Sequence, residues 1–166
     1  MRRRIVGVMG PGDGGPALER EAFALGALIA RERWVLLTGG RAAGVMDAAS
    51  RGAKSVADSV TVGILPDDCA SPDVSSGVDI AIFTNMGDAR NAINVQSSDV
   101  VVALGAETPG TLSEVALALK ARKPVVLLGA SGEVQRFFAA HGGGRVHVAA
   151  DAADAIARIK RLLQAP

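Results

Sequence analysis

Seven short apolar runs rich in β-branched residues recur along the chain, and most are bounded by glycine, proline or aspartate. Most are nearly continuous in hydrophobicity rather than alternating, which is typical of strands covered on both faces of a parallel sheet. They are Ile5–Met9, Trp34–Thr38, Val60–Leu65, Asp79–Thr84, Asp99–Leu104, Pro124–Leu128 and Arg145–Val148.

Segments with helical periodicity separate these runs. Leu112, Val115, Ala116 and Leu119 recur at the spacing of one helix face, and the segment 151–164 begins with an acid and ends with bases. Strand and helix alternating throughout predict an α/β fold: a doubly wound, mostly parallel, Rossmann-like sheet of about seven strands with helices on both faces. At 166 residues, we expect one domain spanning residues 1–166. Residues 66–77 form a polar loop without helical period.

Composition excludes several classes of function. The net charge of +1 lacks the basic excess of a nucleic-acid or anionic-membrane binder, and aromatics are 3% of residues. A single cysteine, Cys69, excludes a disulfide framework, and His141 and His147 are too isolated to argue for a metal site. No apolar run approaches the ~20 residues of a membrane span, so we expect a soluble, cytoplasmic protein.

Glycine-rich turns follow the first two predicted strands, at the edge of such a sheet where ligands bind. Gly10 and Gly12 belong to a G-x-G-x-x-G pattern that lets a phosphate approach backbone amides, or simply forms a flexible turn. Gly39, Gly40 and Arg41 stand where a dinucleotide site would place an acid, so NAD binding is not expected. P-loop and G-x-S-x-G motifs are absent from the sequence.

The segment after the fourth strand carries a polar helical face. Arg90, Asn94 and Ser97 share that face, while the apolar residues Ala89, Ala92 and Ile93 can face the sheet. An ordinary solvated face explains the polar residues too, but the helix begins at the ligand-binding end of the sheet. Arg90 is therefore a candidate functional residue.

After the fifth strand, Thr111 and Glu114 have the spacing of a capping box, with Thr111 at the N-cap and Glu114 at the third helical position. The same residues also have a functional interpretation. Free amides at Gly110 and Thr111 would form an anion site, with the Glu114 carboxylate beside it.

Together these segments resemble the LONELY GUY (LOG)-type phosphoribohydrolases and the related molybdenum-cofactor-carrier-like proteins, over about residues 4–128. The resemblance rests on the glycine turns, on Met86, Arg90 and Asn91, and on Gly110-Thr111-Leu112-Ser113-Glu114. It implies a Rossmann-like nucleotide-binding domain that requires no cofactor. The residues implied to bind nucleotide or phosphate are Gly10, Gly12, Gly39, Gly40, Arg41, Met86, Asn91, Gly110 and Thr111.

The resemblance leaves two functions open. In the enzymatic branch, Arg90 and Glu114 would be catalytic and would hydrolyse the N-glycosidic bond of an AMP-like nucleoside 5′-monophosphate to free base and ribose 5-phosphate. The alternative is a carrier or sensor that only binds a phosphorylated small molecule, such as a molybdopterin-type ligand. Ala106-Glu107-Thr108-Pro109 replaces the glycine-rich half of the enzymes' P-G-G-x-G-T-x-x-E motif. If Glu107 points inward it repels a phosphate; if it points outward it does not. The older lysine-decarboxylase label of this family has no support, because Lys54, Lys120, Lys123 and Lys160 lie at no recognisable pyridoxal-phosphate site.

Two predicted helices are apolar beyond a single stripe. Residues 24–30 include no charged residue, and residues 115–119 are apolar at every position. Because the sheet covers only one side of each helix, we expect a second subunit to cover another, in a homodimer or larger homo-oligomer. No nucleic-acid or membrane partner is expected.

Overall fold

A computed structural model describes residues 2–69 and 73–164, which form seven strands and six α-helices. The strands are β1 (Ile5–Met9), β2 (Val35–Thr38), β3 (Val60–Leu65), β4 (Ile80–Phe83), β5 (Val100–Leu104), β6 (Val125–Leu128) and β7 (Val146–Ala149). The helices are α1 (Gly15–Arg31), α2 (Gly44–Lys54), α3 (Arg90–Ser97), α4 (Pro109–Lys120), α5 (Gly132–His141) and α6 (Ala152–Gln164). A single 3₁₀ turn, Gly87–Ala89, leads into α3.

All seven strands pair in parallel, in the order β4-β3-β2-β1-β5-β6-β7. β1 lies at the centre, with Val6 opposite Val100 of β5. The chain winds outward from β1 to β4, returns to β5, and then winds outward on the other side. This is the predicted doubly wound α/β fold, and each predicted strand is found within one residue of its expected bounds.

Helices cover both faces of the sheet. On one face, α1, α2 and α6 enclose a core that includes Leu25, Ile29 and Ile156. On the other, α3, α4 and α5 enclose a core that includes Val95 and Val115. Strand β5, which lies beside β1, is buried along its whole length, which explains its continuous run of apolar residues.

The apolar breadth of α1 has an explanation within the chain. Gly26 of α1 lies so close to α2 that an added Cβ would stand 2.0 Å from the Ala49 carbonyl oxygen, and α6 packs against α1 as well. The apolar breadth of α1 therefore does not require a second subunit to cover it. α4 differs, since Ala116 is exposed and Leu112 and Leu117 are only half-buried.

The described part of the segment predicted as a polar loop is hydrogen-bonded to the second glycine turn. Ala42 N donates to Asp73 O and Ser75 N donates to Gly40 O, so residues 73–75 run beside the second glycine turn. Residues 70–72, in the middle of this predicted loop, lie outside the described residues. No helix within the described ranges is long and apolar enough to cross a membrane.

Candidate functional site

A cleft opens between the loops that follow β1 and β5, where the strand order reverses. Chains leave these two neighbouring strands in opposite directions, which makes a crevice at their carboxyl ends, where open α/β sheets bind ligands. The cleft encloses about 550 Å³ of empty space, part of it open to solvent.

The two glycine turns of the sequence meet at this cleft. Val45 N, at the start of α2, donates to the carbonyl of Pro11 at 3.1 Å. A Cβ added to Gly10 would stand 2.6 Å from the Val45 side chain, so only glycine permits this approach. The turns after β1 and β2 therefore form one packed wall rather than two independent loops.

The first residue of α3, Arg90, reaches into the cleft from a buried position. Arg90 is 8% exposed and Asn94 is fully buried, whereas Ala89 and Ala92 are exposed. The prediction that those alanines face the sheet is wrong. Arg90 and Asn94 turn inward because the cleft and Glu114 of α4 give them polar surroundings that the apolar side of the sheet lacks.

The guanidinium of Arg90 makes no ion pair with the described residues. Its Nε is buried without a hydrogen-bond partner, and no carboxylate oxygen of the described residues lies within 4.0 Å of it. Burial lowers the pKa of Arg90, the attraction of Glu114 opposes this, and the nearby Arg41 adds to the lowering. Gly39 makes room for this group, since a Cβ there would stand 2.3 Å from Nη1. Such an arrangement favours an anion as the missing partner.

Glu114 lies deep in the same cleft, in the second turn of α4. It is 6% exposed, and burial raises its pKa to about 7, against a hydrogen bond from Asn94 and the attraction of Arg90. Asn94 Nδ2 donates to Glu114 Oε1 at 3.3 Å, while Asn94 Oδ1 is buried without a partner. The carboxyl is thus shared between its neutral and charged forms near neutral pH.

The start of α4 differs from the predicted capping box. The helix begins at Pro109 with Thr108 as its N-cap, so Thr111 is at the third helical position and Glu114 at the sixth. Proline, with its fixed φ, is favoured at the first position, and the helix begins three residues earlier than predicted. The Leu112 amide donates to the Thr108 carbonyl, which leaves the Gly110 and Thr111 amides at the cleft without acceptors in the helix.

Glu107 points away from the cleft. Its Oε1 accepts a hydrogen bond from Ser131 N at 2.7 Å, next to the beginning of α5. The negative charge is therefore held at the N-terminus of another helix, where the dipole favours it. The repulsion of a phosphate that an inward Glu107 would cause does not arise.

The structure brings most of the predicted residues together and leaves three outside the cleft lining. Gly40, Arg41 and Met86 do not line it, and Arg41 is paired instead with Asp73 at 3.1 Å. The predicted residues that do line it are Gly10, Gly12, Gly39, Arg90, Asn91, Gly110, Thr111 and Glu114. Met46, Asp88 and Thr108 line it too and were not predicted. The sequence feature that could have identified them is their position, since each lies in a segment that follows the end of a strand.

Residues 3–156 match the model of the SLOG cluster4 family. The chain belongs to this family. A molybdenum cofactor binding protein from Rippkaea orientalis has a structure similar to this one, with a TM-score of 0.93 and 51% identity over 99% of both chains. The molybdenum cofactor carrier protein of Chlamydomonas reinhardtii gives 0.91 and 50% identity, covering 99% of this chain and 100% of its own.

A relative from Archaeoglobus fulgidus is 43% identical over 129 residues, which are 77% of this chain and 82% of the relative. The family match and these similarities support the family resemblance drawn from the sequence. Within residues 2–69 and 73–164, no group of three or more His, Cys, Asp or Glu side chains is placed to hold a metal ion.

Proposed function

We propose that the cleft binds a phosphorylated, molybdopterin-type small molecule and releases it unchanged. The observation that carries this proposal is Arg90, a buried cation without an ion-pair partner among the described residues. It lines the same cleft as Gly110 and Thr111, whose amides have no acceptor within the helix. Charge-assisted hydrogen bonds from a guanidinium and amides at a helix N-terminus are the usual partners of a phosphate. The roughly 50% identity to two proteins that bind or carry molybdenum cofactor supports a molybdopterin-type group as the remainder of the ligand.

The binding mode follows from the residues at the cleft. Arg90 would face the phosphate together with the Gly110 and Thr111 amides and the Thr111 hydroxyl. Met46 and Met9 supply apolar surface on which the flat part of a ligand would lie. Asp88, also in the lining, would accept hydrogen bonds from the N–H groups of a pterin.

A retention assay tests this function. The purified protein is mixed with molybdenum cofactor released from a molybdenum enzyme, passed over a desalting column, and the protein fraction is then denatured. Recovery of intact cofactor in near-stoichiometric amount supports a carrier. Passage of all cofactor into the small-molecule fraction, or its recovery in altered form, contradicts one.

A second candidate is hydrolysis of a nucleoside 5′-monophosphate, which one observation favours. A carboxyl with a pKa of about 7, buried beside an arginine, has the properties of a general acid or base. Release of free base from a panel of nucleoside monophosphates, lost in Glu114→Gln, would establish this activity. No turnover on the panel together with cofactor retention supports the carrier.

We also propose that the protein acts as a homodimer. The exposed Ala116 on α4 and the 57% exposed Phe137 on α5 border an apolar hollow that the chain itself leaves open. A second copy on this side would lie near the helices that carry Arg90 and Glu114.

A further inference from the structure

A second groove lies at the opposite edge of the sheet from the cleft. It is formed where β1, β2 and β3 begin, and it encloses about 1,220 Å³ of empty space that is open to solvent. Arg3, Arg31 and Arg33 line it, and all three are exposed. We call it the basic groove.

The arginines of the basic groove have no partner of opposite charge in the described part of the chain. No carboxylate there lies within 4.0 Å of the three guanidinium groups, and Asp58 is the one acid among the residues that line the groove. The neighbouring arginines differ, since Arg2 binds Asp99 at 2.5 Å and Arg4 lies 4.0 Å from the same carboxylate.

Local structure explains the position of only one of these three arginines. Arg31 is the last residue of α1, where a cation compensates the helix dipole. Arg3 and Arg33 lie outside any helix or strand, so no dipole accounts for them. Arg33 also adopts a left-handed backbone with φ of 59°, a conformation that favours glycine or asparagine over arginine.

Apolar side chains also line the basic groove. Ala30, Val56 and Val60 line it between the arginines, and Val60 is half-buried. Protein–protein interfaces are enriched in arginine beside apolar surface, and guanidinium groups bind carboxylates in a bidentate manner. No aromatic side chain lines the groove to stack on nucleic-acid bases.

We propose that the basic groove is a docking surface for an acidic, partly apolar segment of a partner protein. Because it lies at the opposite edge of the sheet from the ligand cleft, a docked partner leaves that cleft open. The proposal does not depend on which ligand the cleft binds.

Fluorescence anisotropy with a labelled peptide tests the docking surface. The probe is a twelve-residue peptide of glutamates with leucine at every fourth position, and its controls are the same peptide with glutamine for glutamate and a single-stranded oligodeoxynucleotide. We expect the acidic peptide to bind more tightly than either control, and its affinity to fall as salt is raised.

Matched variants separate the basic groove from general electrostatic attraction. The triple variant Arg3→Gln, Arg31→Gln, Arg33→Gln should lose at least tenfold in affinity for the acidic peptide. Its control, Arg20→Gln, Arg122→Gln, Arg136→Gln, removes the same charge at exposed sites and includes a matched left-handed position, Arg122 with φ of 58°; it should lose less than twofold.

Equal losses in both triple variants, no binding by the wild-type protein, or tighter binding of the oligonucleotide would each overturn the proposal. If the groove variant does not fold, Arg3→Gln alone serves, since it precedes the first strand, and it should still weaken binding about threefold more than Arg20→Gln.

Discussion

Asn94 on α3 donates its side-chain amide to Glu114 on α4, across 3.3 Å of the buried wall of the ligand cleft. The two residues are 20 positions apart and link the helices that carry Arg90 and Glu114. Asn94 stabilises the charged carboxylate, while burial favours the neutral acid more strongly. The protonation state of Glu114 is therefore linked to folding.

The stability of the protein should depend on this carboxyl between pH 4.5 and 7. The pKa of Glu114 is raised in the folded state from an ordinary 4.5 to about 7. The contribution of Glu114 to stability is fully present below pH 4.5, where the carboxyl is protonated in both the folded and the unfolded chain. It is lost as pH rises to 7, because the carboxyl ionises more readily in the unfolded chain.

Glu114→Gln removes this titration. At pH 8 we therefore expect the free energy of unfolding of the variant to exceed that of the wild type by about 1–3 kcal/mol, which raises its urea midpoint. At pH 4 the two should differ little. The difference between wild type and variant in urea midpoint, followed across this range, checks the prediction, and a pH-independent difference would contradict it.

Gly39→Ala should impair anion binding by displacing Arg90. The added methyl group would stand 2.3 Å from Arg90 Nη1 and 2.7 Å from Met46 Sδ, so the guanidinium must move. We expect at least a tenfold loss of affinity for a phosphorylated ligand in calorimetry. Gly132→Ala, where the nearest atom is the flexible end of Arg136 at 3.2 Å, is the control and should bind as the wild type does. Unchanged affinity in Gly39→Ala would show that the position of Arg90 does not matter.

Glu107→Gln should leave ligand affinity within twofold of the wild type. The Glu107 carboxylate faces the Ser131 amide beside α5 rather than the cleft. Loss of its charge there should lower stability by about 0.5 kcal/mol. Thermal denaturation and ligand titration measure the two effects. A large gain in affinity for a phosphorylated ligand would mean that Glu107 turns toward the cleft in solution.

Light scattering at micromolar concentration should give a mass near twice that of one 16.9 kDa chain. Phe137→Ser, which removes the exposed ring beside the apolar hollow of α4 and α5, should shift the mass toward one chain. Phe23→Ser, at a 40% exposed ring on α1, is the matched control and should not. A wild-type mass of one chain that does not change on concentration contradicts the dimer.

The sequence predicted the fold more completely than the site. Continuous runs such as residues 100–104 predict buried parallel strands because few other structures cover both faces of a strand. The orientation of α3 could not be predicted in the same way. Arg90 and Asn94 look like solvent-facing residues, and only Glu114, 20 residues further along, gives Asn94 a reason to be buried.

Helix boundaries and cleft partners were harder still. Thr111 and Glu114 match a capping box, but Pro109 supplies a better first residue, and local spacing alone does not rank the two. Asp88 and Met46 reach the cleft because the segments that follow β1, β2, β4 and β5 converge there, which depends on strand order rather than on either local sequence.

The phosphate dependence of ligand binding tests the central claim most directly. The oxidised, fluorescent derivative of molybdopterin is titrated into the protein before and after a phosphatase removes its phosphate. We predict tight binding of the phosphorylated form, at least a hundredfold weaker binding of the dephosphorylated form, and loss of this preference in Arg90→Gln. Equal affinity for the two forms, or a preference that survives in Arg90→Gln, would contradict the account.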